Sequence, residues 1–142
     1  MATDPHRHVR LERVAQGVYR ATNPRGGQLV FGSEAGEAFS PVELLLAALG
    51  GCTAVDVDVV TGRRATAESF VVDVDAQTVR DGSGNRLEDL AVTFRLRFPD
   101  GPDGDEARAV APRAAATSHD RTCTVGRTVE HGTPVAVTVA DA

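Results

Sequence analysis

The chain has no tryptophan, one tyrosine and five phenylalanines among its 142 residues, although 42% of it is hydrophobic. Its core must therefore be filled mainly by valine, leucine and alanine, and such small side chains favour close contact between helix backbones. Lysine is also absent: every basic side chain is an arginine, and 15 of them against 20 carboxylates leave a formal charge of −5. That balance excludes an electrostatic grip on nucleic acid, which needs a basic stripe. Arg7, Arg10 and Arg13 form a small basic cluster near the start, but Glu12 interrupts it, and it reads as a solvated terminus.

Long hydrophobic runs are missing as well. The start, MATDPHRHVR, contains no apolar signal region, and no segment offers eighteen uninterrupted apolar residues, so the expectation is a cytoplasmic protein outside the membrane. Only two cysteines occur. Two do not make the framework of a small secreted domain, and in the cytoplasm they are reduced at rest unless catalytic. Their separation of 71 residues (123 − 52) also excludes a local CxxC redox motif or a compact zinc knuckle. No Walker loop, no GxGxxG after a strand and no GxSxG elbow is present, which removes kinase, nicotinamide dehydrogenase and serine hydrolase chemistry.

What is present fits one domain, since a chain of this length buries roughly two-thirds of the surface exposed when unfolded. The first forty residues read as short strands, broken at Gly17 and at the NPRGG turn before QLVF. A helix is expected from about Pro41 to Val60. Ser40 caps it, Pro41 suits its first position because no N–H is needed there, and Glu43 completes a capping box. Leu45, Ala48, Cys52, Val55 and Val59 recur at spacings of three and four and form one inward stripe, though Leu44, Leu46, Leu49 and Val57 extend apolar surface almost around the rod.

Residues 69 to 79 alternate, with Phe70, Val72, Val74 and Ala76 on one face. After the DGSGN turn, Val92, Phe94, Leu96 and Phe98 do the same, which predicts an antiparallel pair covered on one side by helix. An alanine-rich helical segment follows, with Pro112 expected to kink or split it. Asp120 is then expected to cap a short helix carrying Cys123 in its first turn, and Val135, Val137 and Val139 to form a last strand. The fold class is α+β.

Cys52 lies in mid-helix, directly after Gly50 and Gly51. Each glycine costs about 1 kcal/mol relative to alanine there, so each requires either a crossing backbone or room for a small reactant. Cys52 itself reads first as a small buried hydrophobe, with a reactive thiol as the alternative. Cys123 stands in a polar stretch where helix N–H groups, Arg121 and Arg127 favour thiolate while Asp120 opposes it. Cys52, Asp56, His119 and Cys123 could supply four ligands, with one-turn spacing within each pair, but neither pair is a zinc signature, and no metal or other cofactor is expected. His6, His8 and His131 read as peripheral, and His119 as a solvated loop residue.

The stretch SPVELLLAALGGCTAVDV, with the later DRTCTVGRTV and the strand and helix order between them, resembles the OsmC/Ohr superfamily of osmotically inducible and organic hydroperoxide resistance proteins, nearest its OsmC-like branch. The resemblance spans residues 9 to 140. It implies an OsmC-like fold in which antiparallel sheets pack around a long central helix, in an intertwined homodimer with active sites at the subunit interface. It further implies a thiol-dependent peroxidase for small organic hydroperoxides. In that role Cys52 attacks the O–O bond and becomes sulfenic acid, Cys123 captures it as a disulfide, and a dithiol such as a lipoylated protein restores the pair. An arginine would hold Cys52 as thiolate; Arg20 is the first choice, with Arg13 and Arg25 the alternatives. Peroxidase members carry a glutamate directly after the motif's proline to orient that arginine. Here the position is Val42, with Glu43 one residue on and Asp56 one turn beyond Cys52. The alternative reading is a non-enzymatic OsmC-like dimer whose groove binds a small apolar ligand.

Overall fold

The computed structural model describes residues 4–142. It divides into two compact units, the first ending at Leu45 and the second beginning at Leu46. In the first, β1 (Arg10–Ala15), β2 (Val18–Thr22) and β3 (Gln28–Phe31) form an antiparallel sheet in sequence order. Gly17 turns β1 into β2 at φ 71°, a left-handed conformation that costs other residues more than glycine. The NPRGG segment closes on Asn23, whose side-chain oxygen accepts the N–H groups of Arg25 and Gly27 at 3.0 and 2.9 Å. Arg10 and Arg13 are solvated, as expected, but they belong to a strand. They are exposed rungs of β1, paired with Thr22 and Tyr19.

The helix α1 spans Pro41–Gly62. The expected capping box is in place: the Ser40 N–H donates to Glu43 Oε1 at 2.9 Å, and the Glu43 N–H donates to Ser40 Oγ at 3.2 Å. The Ser40 N–H, and after it the Ser40 hydroxyl, hold the Glu43 carboxyl below its ordinary range. With 22 residues and a mean hydropathy of 1.7 in its most apolar window, α1 is long and apolar enough to cross a bilayer, a property that core helices of folded domains share.

The antiparallel hairpin of β4 (Ser69–Asp81) and β5 (Gly84–Arg97) pairs Phe70 with Leu96, Val72 with Phe94 and Val74 with Val92. One apolar face results, on which the rings of Phe70 and Phe94 meet edge to face at 6.0 Å. The register shifts between Asp75 and Gln77. Asp89, on the partner strand there, takes the left-handed φ of 54°, as expected where an extra residue is accommodated in a ladder.

Which face of α1 is buried differs from the sequence expectation. The buried positions are Leu49, Gly50, Val57 and Thr61, whereas Val55 and Val59 of the expected stripe are 62% and 51% exposed. A rod that is apolar nearly all round carries no phase in its periodicity, so neighbours choose the face. The choice turns on Gly50, where a Cβ would collide with Val74 of β4; at Gly51 a Cβ would meet nothing within 4 Å. The first glycine serves close packing and the second faces open space.

The helix α2 (Pro102–Thr117) contains Pro112 without being split by it. A π-helical turn, Ser118–Thr122, continues from it and leads into α3 (Thr124–His131). Asp120 does not cap α3. It lies inside the π-helical turn, and Cys123 is the cap. Residues 133–142 form no strand: Val135, Val137 and Val139 are 85%, 87% and 97% exposed. Alternation alone does not make a strand, which also needs a neighbouring edge to receive its N–H and C=O groups.

Candidate active site

Cys52 and Cys123, separated by most of the second unit's chain, lie side by side as free thiols, close enough for each to shift the other's ionisation. Cys52 comes from the middle of α1 and is half-buried; Cys123, only 2% exposed, comes from the junction of the π-helical turn with α3.

As N-cap, Cys123 uses its sulfur where serine or aspartate would use oxygen. The Gly126 N–H donates to Cys123 Sγ at 3.2 Å. Burial pushes the Cys123 thiol up, but the Thr53 hydroxyl, the Gly126 N–H and the neighbouring Cys52 thiol together outweigh it, and the net direction is down despite the opposing charge of Asp56. Cys52 moves the other way. Burial raises it and the adjacent Cys123 adds to the rise, against the N–H groups of Val125 and Thr124 at the start of α3. Thiolate character is therefore concentrated on Cys123 within this unit.

Asp56, one turn beyond Cys52, is engaged by two hydroxyls: Ser118 Oγ and Thr122 Oγ1 donate to its Oδ2 at 2.7 and 2.8 Å. His119 lies between two carboxylates, with Nδ1 3.0 Å from Asp120 and Nε2 2.7 Å from Glu130. These partners raise its pKa, Glu130 most. The four residues singled out from the sequence as candidate ligands are thus engaged separately: Asp56 by hydroxyls, His119 by carboxylates, and the two cysteines by each other. Among the described residues no cluster of three or more such groups is arranged to hold a metal.

A cavity of about 420 Å³ opens beside Cys123, with Leu49, Val74, Val92, Phe94 and Val129 among its apolar walls and Thr53, His119 and Glu130 among its polar ones. Arg20 stands on β2 in the first unit, half-buried, opposite Glu12 and Val30. Val42 is exposed in the first turn of α1, and the adjacent Glu43 is spent on the capping box. Sequence reasoning missed Thr53, Ser118, Thr122 and Glu130. Thr53 carried a signal, since it directly follows Cys52. The others become partners only through tertiary packing.

A family model for OsmC-like proteins matches residues 34–138, a segment that includes both cysteines, Asp56 and the cavity walls. The chain belongs to the OsmC-like family. An uncharacterized protein of Mycobacterium tuberculosis strain H37Rv is 29% identical over 132 residues, covering 92% of this chain and 94% of its own. Among solved structures, a hypothetical protein from Aquifex aeolicus superposes with a TM-score of 0.71 at 18% identity over 92% of this chain and 91% of its own. The organic hydroperoxide resistance protein OhrB of Bacillus subtilis superposes at 0.51, with 14% identity over 86% and 90% of the two chains. At such identities the structural likeness establishes a shared fold, and the OsmC-like α+β architecture expected from the sequence is the one observed.

Proposed function

We propose that this OsmC-like protein is a thiol-dependent peroxidase that reduces small organic hydroperoxides in the cytoplasm. The observation that carries the reading is the pairing of Cys52 with Cys123 as adjacent free thiols, beside an apolar cavity. The Cys52 thiolate attacks the terminal oxygen of R–O–OH, the O–O bond breaks, and the alkoxide takes a proton to leave as an alcohol. Cys52 is then a sulfenic acid. Cys123 attacks its sulfur, expelling the hydroxyl as water and leaving a Cys52–Cys123 disulfide. An external dithiol, such as a lipoylated protein, returns two electrons and two protons by exchange.

Cys52 needs help to ionise, because burial and its neighbour both raise its pKa. A guanidinium meets that need and also stabilises charge on the departing oxygen; Arg20 is the residue assigned to it. The protein acts as a homodimer, with Val55 and Val59 as the apolar surface that a second copy would cover. It works without nucleic acid, membrane or bound cofactor.

Intact mass after treatment with an organic hydroperoxide tests the reading. The wild type should lose about 2 Da on disulfide formation, while each single-cysteine variant should instead gain a trappable sulfenic acid or remain reduced. Sulfenic acid in Cys123→Ser places the first attack on Cys52. Its appearance only in Cys52→Ser would assign that attack to Cys123, the thiol with more thiolate character.

The cavity also favours a second reading, in which a small apolar ligand binds without turnover. A folded protein that takes up such a ligand but shows no peroxide-dependent mass change would establish it.

A further inference from the structure

Ser118 links two parts of the site. Its hydroxyl donates to Asp56 Oδ2 at 2.7 Å, and its carbonyl accepts the Cys123 N–H at 2.8 Å. Its side chain is held in a position only 1% exposed. Thr122, immediately before Cys123, donates to the same carboxylate oxygen at 2.8 Å. Asp56 follows Cys52 by four residues within α1, so the two side chains lie on one helix face. A single carboxylate oxygen on Cys52's own helix thus holds both ends of the turn that delivers Cys123. That turn is π-helical, a geometry rarely kept without a local constraint.

We propose that Asp56 is a positioning residue for the thiol pair: by holding Ser118 and Thr122 it sets the approach of Cys123 to Cys52 and so governs how readily the disulfide closes. The proposal rests on Cys52 and Cys123 acting as a redox pair, as in the function proposed above, but not on hydroperoxide being their oxidant. The arrangement gives oxygen geometry and charge separate effects. Because one oxygen accepts both bonds, Asp56→Asn can keep them through its amide oxygen while removing the charge. Asp56→Ala removes both. The charge of Asp56 opposes thiolate formation on Cys123, so its loss without loss of the bonds should leave Cys123 more ionised.

Diamide tests this in the full chain independently of peroxidase activity. Its N=N bond takes two electrons and two protons from the thiols and becomes a hydrazine as the disulfide forms. The wild type should close rapidly. Asp56→Asn should close within about twofold of it, and alkylation of Cys123 in a Cys52→Ser background should report a lower thiol pKa when Asp56→Asn is added. Asp56→Ala, checked for native secondary structure, should close on the order of tenfold more slowly, since misplacing reacting groups by a fraction of an ångström is sufficient for such a loss. If Asp56→Ala does not fold, Ser118→Ala with Thr122→Val carries the same expectation. Wild-type closure in the folded alanine variant or in that double variant overturns the proposal, as does equal slowing by asparagine and alanine. Normal diamide closure with no response to hydroperoxide would overturn the peroxidase reading and leave this one standing.

Discussion

The two sulfurs reach one site from segments built in opposite ways. Cys52 rides on a 22-residue helix with a complete capping box, and the N–H groups that reach it, those of Val125 and Thr124, come from another element. Cys123 stands where a π-helical turn gives way to an eight-residue helix, in a setting made of hydrogen-bond donors. Cys52 is half-buried and Cys123 buried, yet burial prevails at Cys52 and is overcome at Cys123. The ionisation of a buried thiol therefore follows the balance between burial and the donors aimed at it.

Removing a sulfur from either side breaks the comparison most severely. Cys52→Ser and Cys123→Ser should each abolish peroxide-dependent disulfide formation and reduce turnover with an external dithiol to background. Retained turnover in both variants would end any shared chemistry. A smaller but cleaner contrast lies in the two glycines beside Cys52. Gly50→Ala should destabilise the protein by about 1–3 kcal/mol, because Val74 leaves no room for the added methyl group. Gly51→Ala meets open space and should gain up to about 1 kcal/mol from helix propensity. Chemical denaturation of the pair tests the assignment, and equal effects would refute it.

Legibility followed the same division. Ser40, Pro41 and Glu43 marked the start of α1 because capping is local, and the alternation in β4 and β5 marked the hairpin because both strands belong to this unit and turn directly into each other. The buried face of α1 was not legible, since a nearly uniform apolar surface leaves the choice to Val74 and its neighbours. Nor was the capping role of Cys123, because Asp120 offered the more familiar cap and the intervening residues wind as a π turn instead. Asp56 stood out in the sequence as a charge one turn from Cys52. Its partners lie 62 and 66 residues away, so its structural role appears only after folding. Val135, Val137 and Val139 show the converse: a clear alternating pattern with no paired edge among the described residues.

Thr53 sharpens the contrast between the sulfurs more gently. Its hydroxyl favours the charged form of Cys123, and valine has nearly the same shape without a donor. Thr53→Val should raise the Cys123 pKa and slow its alkylation below that pKa by a few-fold, while leaving the capping Gly126 N–H in place. An unchanged alkylation profile in a Cys52→Ser background would remove Thr53 from the account.

His119 gives the smallest effect, and its sign is fixed by its partners. Glu130 and Asp120 raise its pKa above the ordinary 6.5, so the folded state holds the proton more tightly than the unfolded chain does. The resulting stabilisation is fully present below about pH 6.5 and is lost as pH rises through the higher folded value. Because His119 and both carboxylates are largely exposed, the contribution to global stability should be slight. A site-resolved titration reads it better than unfolding. By NMR the His119 ring should titrate above 6.5, and Glu130→Gln should bring the midpoint back toward that value more than Asp120→Asn does, since Glu130 is the larger cause. A midpoint at or below 6.5 in the wild type would show that the imidazolium is not held at the cavity wall by these carboxylates, and the polar side of that cavity would then be neutral at His119 near pH 7.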